Sequence, residues 1–284
     1  AAGLLGEKTV TDPKTPKAPR AATGTREWAS SNVNVMLGCE HDCRYCYARS
    51  SARRFGRVEP GQWADEVVQP KLLRKGFSKR KGTVMFPTTH DITPANMEHT
   101  LLILGRLLAK GNDVLVVSKP HRLTVETMCA AYAAYKDQIL FRFTIGSCND
   151  DTLTLWEPGA PDFQERLGAL KHAHRQGFKT SVSMEPMLDT QEERIVHTFR
   201  SVVPFVTDAV WLGKMNKATE RLKRNGFGDD VKLMRAAEAL VESQRDERIL
   251  ALYARLKDEP RIKWKESIKS VVGIEIPTEA GLDV

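Results

Sequence analysis

From Asn32 onward, short apolar runs alternate with amphipathic stretches. Six runs read as buried strands: "NVNVML" at 32–37, "TVMFPT" at 83–88, "DVLVVSK" at 113–119, "ILFRFTIG" at 139–146, "FKTSVSME" at 178–185 and "TDAVWLGK" at 207–214. Between them the apolar period lengthens to that of a helix over 63–76, 96–110, 124–136, 162–176 and 191–203. Asn96 and Asp162 stand at helix starts, and Gly111 and Gly177 stand where helices should stop. Strand–helix units of this spacing imply parallel strands with helices outside. The expected fold class is therefore α/β, a partial (β/α)6 TIM-like barrel with right-handed crossovers. An open doubly wound sheet is less consistent, because no G-x-G-x-x-G follows the first strand.

The flanks differ. Residues 1–31 contain "KTVTDPKTPKAPRAATGTR", with three prolines and no apolar period, and read as an extended or mobile arm. The barrel is expected over 32–215. Residues 216–284 read as a helical extension, about 230–256, followed by a short basic tail, "RIKWKESIKSVVG".

Composition adds little until charge and cysteine are counted. Forty-three Lys and Arg against 36 Asp and Glu give a formal charge of +7, compatible with a nucleic-acid partner. The run "KLLRKGFSKRK" at 71–81, with Arg49, Arg53, Arg54 and Arg57, could form a phosphate-binding face or a solvated helix end. Trp63, Trp156, Trp211 and Trp264 could stack on bases or pack in the core. No apolar run is long enough to span a bilayer and the first residues lack a secretory layout, so a cytoplasmic location without membrane contact is expected.

Three of the five cysteines lie together. Cys39, Cys43 and Cys46 form C-x3-C-x2-C after the first strand. Thiolates suit zinc or iron–sulfur clusters, but structural zinc wants four ligands, usually in two pairs. Cys129 and Cys148 are distant and single, and His41 would strain so short a loop. Three ligands on a four-iron cluster leave one iron open for chemistry.

This spacing, with Tyr45 between the last two cysteines, resembles the radical S-adenosylmethionine (SAM) enzymes. The blocks "FPTTHDITP", "VVSKPHRL", "FRFTIGS", "WEPGAPDFQERLGAL" and "GFKTSVSMEPM" are similar to the spore photoproduct lyase-like branch, which includes proteins labelled DNA repair photolyases. The resemblance spans 34 to about 190. It implies a 4Fe-4S cluster on Cys39, Cys43 and Cys46, SAM chelated to the open iron, and a 5′-deoxyadenosyl radical that abstracts hydrogen. It implies that Tyr45, Tyr47, His90, Lys119, Thr144 and Glu185 surround the cofactor, with Lys119 meeting the methionine carboxylate. The lyase has a serine at His90's position and a small residue at Glu185's. An electron donor such as a flavodoxin or ferredoxin is implied as partner.

The lyase also carries a hydrogen-donating cysteine at the end of the second strand, where this chain has Thr88. Cys148, beyond the fourth strand, is the substitute donor candidate. Each residue has a plainer alternative: His90 could satisfy loop amides, Tyr47 and Cys148 could pack, and Lys119 could be solvated. Three functions remain open: a radical enzyme acting on nucleic acid, one acting on a peptide, protein or small molecule, and a non-catalytic iron–sulfur sensor that binds nucleic acid.

Overall fold

The computed structural model describes residues 21–59 and 61–282. Most of the expected arm, residues 1–20, lies outside the described residues. Among the described residues nine strands form: β1 Ser31–Asn32, β2 Met36–Leu37, β3 Val67–Val68, β4 Val84–Phe86, β5 Val114–Ser118, β6 Ile139–Thr144, β7 Lys179–Met184, β8 Val210–Leu212 and β9 Ile262–Trp264. The helices are α1 Tyr47–Arg54, α2 Pro70–Arg74, α3 Met97–Leu108, α4 Arg122–Ala131, α5 Asp150–Trp156, α6 Phe163–Arg175, α7 Glu192–Val202, α8 Ala218–Arg224, α9 Val231–Ser243, α10 Asp246–Leu256 and α11 Glu266–Val272. Seven strands make one parallel sheet in the order β1-β4-β5-β6-β7-β8-β9, while β2 and β3 pair antiparallel apart from it. The α/β class and parallel order follow the sequence expectation. Among the described residues, no helix is long and apolar enough to cross a membrane.

Side chains alternate across the sheet with the strand period of two. Phe86, Val116, Phe141, Phe143, Val182 and Leu212 point into the main core shared with the helices. Met85, Leu115 and Trp211 point the other way and close around Trp28. Trp28 and Ala29 thus join side chains of β4, β5 and β8 in one second cluster on that face of the sheet.

Three expectations are corrected. The run 32–37 is not one strand. Asn34 Oδ1 accepts the amides of Thr88 (2.6 Å) and Thr89 (2.9 Å), and His90 Nε2 accepts those of Val35 (3.1 Å) and Met36 (3.3 Å). These bonds pull the chain out of the sheet after β1 and into the β2–β3 pair. The helix expected at 63–76 is reduced to α2, because Val67 and Val68 pair with Leu37 and Met36 and Pro70 suits only a helix start. The basic tail is no free tail: it supplies β9, paired parallel to β8, and α11.

The described end of the arm also packs inside. Trp28 meets Trp211 edge-on with centroids 5.7 Å apart, and Arg142 lies over both rings. Beside them Lys265 is fully buried, 2.5 Å from Glu27, 3.3 Å from Glu185 and 3.6 Å from Glu266, with its Nζ 4.0 Å from the Trp28 ring centroid. A buried cation needs such partners. Burial, reinforced by Glu266, pushes the Glu27 carboxyl up to about 8. A carboxyl raised in the folded state stabilises the protein below its ordinary range, and that contribution fades as pH rises. Between about 4.5 and about 8, wild-type stability is therefore expected to decline relative to Glu27→Gln, as urea unfolding at stepped pH would show. Parallel slopes for the two proteins would contradict this.

Candidate active site

The carboxyl ends of the parallel strands open into a cavity of ≈ 530 Å³. Cys39, Cys43 and Cys46 line it, and so do Tyr45, Tyr47, Thr88, His90, Asp91, Lys119, Thr144 and Glu185. Nine of the ten residues expected at the site thus line this one cavity. Cys148 is not among the lining residues. Its amide is held by Thr198 Oγ1 at 3.0 Å, and it packs against the main core. Cys129 is buried in the core, as its place on a helix face suggested.

The cysteine loop is clamped from three directions. Cys39 Sγ accepts the Asp91 amide at 3.4 Å, and Cys46 caps α1, its sulfur taking the Arg49 amide at 3.5 Å. Asn225, from the C-terminal region, donates to the carbonyls of Arg44 (2.8 Å) and Cys46 (3.1 Å). Trp156 O accepts the Arg44 amide at 2.9 Å, and His41 O accepts that of Gly159 at 3.1 Å. A Cβ on Gly159 would fall against the Glu40 carbonyl and 3.0 Å from His41 Cα. Gly159→Ala is therefore expected to displace the loop, with about 1–3 kcal/mol of destabilisation by overpacking and a fall in bound iron. Chemical denaturation and iron analysis would check it; wild-type values in both would contradict the close approach.

The "EPGAP…ERL" block explains itself here. Glu157 has no exposed side chain and lies 2.6 Å from Arg166, itself fully buried. Tyr45 donates its hydroxyl proton to the same carboxylate, and Lys119 Nζ stands 4.0 Å away. Asp162 caps α6 by accepting the Glu165 amide at 2.8 Å, which sets Arg166 one turn into the helix. Burial works against ionised Glu157, but Arg166 and Lys119 outweigh it and hold the carboxyl below its usual range.

Lys119 is not solvated. Its Nζ lies 3.2 Å from Asp91 Oδ2, and its amide donates to Asp91 Oδ1 at 2.8 Å. Burial opposes ionising Asp91 as well, yet Lys119 and His41 hold it well below the carboxylate range. His90 lines the cavity, but both ring nitrogens serve the backbone: Nε2 takes the two amides above, and Nδ1 donates to Asp91 O at 2.9 Å. Burial lowers its pKa to about 4, so the ring is neutral. Tyr47 bonds Thr88 O, and Glu185 reaches Lys265. Burial raises the Glu185 carboxyl.

Several expected nucleic-acid contacts are spoken for. Trp63, Trp156, Trp211 and Trp264 are all buried and cannot stack on bases. Arg49 is buried, paired with Asp42 at 2.6 Å and laid over Phe227. Arg54 and Arg57, by contrast, stay exposed beside Phe55. Sequence reasoning missed Asp91 as an anchor, and it missed Trp28, Lys214, Asn216, Arg221 and Glu266 as cavity lining. The only early signal was Trp28, an aromatic at the end of a segment otherwise without one.

The sequence profile of the radical SAM superfamily matches residues 33–202. The chain belongs to that superfamily. Membership implies SAM and an iron–sulfur cluster, and the residues fit both. Burial raises all three thiols, with Lys119 opposing it, and none is in a disulfide. Neutral thiols gathered in a cavity have little reactivity, whereas a soft metal takes them as thiolates. The N–H···S bonds to Cys39 and Cys46 are the kind that cluster ligands accept.

Among relatives, protein ORF301 of Acidianus two-tailed virus is 27% identical over 179 residues, 59% of this chain and 58% of that protein. Protein Rv2578c of Mycobacterium tuberculosis is 25% identical over 167 residues, 55% of this chain and 49% of that one. The chain thus spans about half the length of the curated relatives it matches. In fold, this radical SAM chain resembles a spore photoproduct lyase variant with bound AdoMet and dinucleoside spore photoproduct. That match has TM-score 0.54 and 14% identity, and covers 88% of this chain and 79% of the lyase. It also resembles SuiB of Streptococcus suis bound to precursor peptide SuiA, with TM-score 0.53 and 11% identity over 89% and 54% of the two chains.

Proposed function

We propose that Cys39, Cys43 and Cys46 hold a 4Fe-4S cluster beside a SAM site in the same cavity, and that the protein is a hydrogen-abstracting radical enzyme. The observation that carries this is the convergence of the three thiols with Lys119, Thr144 and Glu185 on one cavity at the strand ends. When bound, the cluster and SAM supply one-electron cleavage of the sulfonium to a 5′-deoxyadenosyl radical. The chain's own residues bind and orient. Lys119, partly neutralised by Asp91, presents a cation for the methionine carboxylate, and Tyr45, fixed by Glu157, forms the wall beneath it. Thr144 offers a hydroxyl from β6, and Glu185, tied to Lys265, offers a carboxyl from β7. Trp28 and the turn before it line the interior side. Cys148 lies off this cavity and is not proposed as the hydrogen donor. The reductant proposed is a one-electron donor of the flavodoxin or ferredoxin class.

The proposed substrate is nucleic acid. Tyr47 and Arg221 line both the cavity and an adjoining surface hollow, whose other residues include Arg54, Phe55, Lys217 and Arg224. Cations interleaved with an exposed aromatic suit a single strand entering the cavity. Anisotropy with single-stranded oligonucleotides at stepped salt tests this. Affinity is expected to fall with salt, and Arg54→Ala to reduce the slope by roughly 0.7, the value of one phosphate contact. Binding that ignores salt and Arg54 would favour a peptide or small-molecule substrate instead.

A further inference from the structure

A second set of ligating side chains begins within the cysteine loop, where His41 also neighbours Cys39 through Asp91. His41 is fully buried, with Nδ1 2.9 Å from Asp91 Oδ2 and Nε2 2.9 Å from Nε2 of His121. His121 immediately precedes α4 and has its Nδ1 3.4 Å from Glu165 Oε1. A carboxylate oxygen of Glu40 and one ring nitrogen of each histidine lie within 4.8 Å of one another. The proposed radical chemistry draws on Asp91 through Lys119 but gives no part to Glu40, His121 or Glu165.

Hydrogen placement makes the pair unusual. An ionised carboxylate only accepts, so Asp91 requires the hydrogen of His41 on Nδ1. Glu165 favours the same tautomer in His121. The two Nε2 atoms face each other at 2.9 Å, a gap that a shared proton or a bound cation can fill. Each imidazole is gripped at one nitrogen by a carboxylate while the other points to a shared spot, which is how metal-bound histidines are oriented.

We propose that Glu40, His41 and His121 form a divalent-cation site of the zinc class. Two imidazoles on a tetrahedral zinc stand roughly 3.3 Å apart, so the rings need open by only a few tenths of an ångström. Three nitrogen and oxygen ligands leave a fourth position for water, on the side where Glu40 and His121 are partly exposed. The ion would tie the loop between Cys39 and Cys43 to the start of α4, bracing it from behind. Imidazole and carboxylate are harder donors than the three thiolates, so the two sites sort metals by chemistry. The inference does not depend on the substrate or on radical formation.

The test uses cluster-loaded protein, dialysed against a weak chelator and then given one equivalent of zinc. Elemental analysis is expected to find one zinc per chain. Its X-ray absorption should show a nitrogen and oxygen shell with imidazole scattering and no sulfur. His121→Ala and Glu40→Gln should each weaken zinc retention by about tenfold or more. A sulfur shell, no zinc retained by wild type, or wild-type retention in both variants would overturn the site. The wild-type absorption spectrum decides even if a variant folds poorly.

Discussion

Arg166→Leu is expected to destabilise the protein by about 3–5 kcal/mol, the cost of leaving a buried charge without its partner. Glu157 would keep only the Tyr45 hydroxyl and a lysine 4.0 Å away. The guanidinium also donates to Pro161 O at 2.7 Å and Thr144 O at 3.3 Å, so the loop between α5 and α6 loses its anchor too. Tyr45→Phe removes one hydrogen bond to the same charge and should cost less, about 1.5–3 kcal/mol. Replacing both Glu157 and Arg166 by leucine should recover part of the loss, because a buried pair can be exchanged for apolar groups more cheaply than it can be broken. The sign with pH is fixed by the depressed Glu157 carboxyl. Wild type should exceed Arg166→Leu at neutral pH, and the gap should shrink as pH falls through the folded-state pKa. Guanidinium unfolding at several pH values would measure all of this. A single variant within 1 kcal/mol of wild type, on the order of a surface change, would contradict the network.

Cys43→Ala should have the largest effect on activity. Burial raises its thiol, and the Lys119 charge opposes that rise. Two remaining thiolates on one short loop do not retain a four-iron cluster, so iron should fall from about four per chain to near zero. Deoxyadenosine formation should fall to background with it, while the fold persists because an alanine at this site removes little packing. Cys148→Ala is the matching control. Its amide contact to Thr198 is a backbone one, and it lies off the cavity, so iron content should be unchanged. Iron analysis with far-ultraviolet circular dichroism separates loss of cluster from loss of fold. Full iron in Cys43→Ala would move the cluster elsewhere.

What could be read from sequence was local. Strands β5 and β6 fall inside the expected runs at 113–119 and 139–146, because apolar runs of that length bounded by polar residues declare buried strands. Helices α3 and α6 fall within 96–110 and 162–176, and α6 has the cap expected at Asp162. What failed was set by partners distant in the chain. Asn34 and His90 bend the 32–37 run through bonds spanning more than fifty residues. The Val67–Val68 strand exists only because Met36 and Leu37 pair with it. Trp28 and Glu27 looked like the end of an unstructured arm, since their partners Trp211 and Lys265 arrive from the other end of the chain. The cysteine motif was legible because its chemistry resides in its spacing. The Glu157–Arg166 pair was visible as a pattern, but its role needed the cavity.

The central claim is that the cysteine loop and the cavity beside it cleave SAM reductively. The direct measurement is 5′-deoxyadenosine production by anaerobically reconstituted protein given SAM and dithionite, with Cys43→Ala alongside. Deoxyadenosine from wild type and none from the variant is the predicted result. An intact cluster on Cys39, Cys43 and Cys46 that yields no deoxyadenosine would contradict the account and leave the cluster a structural or sensing role.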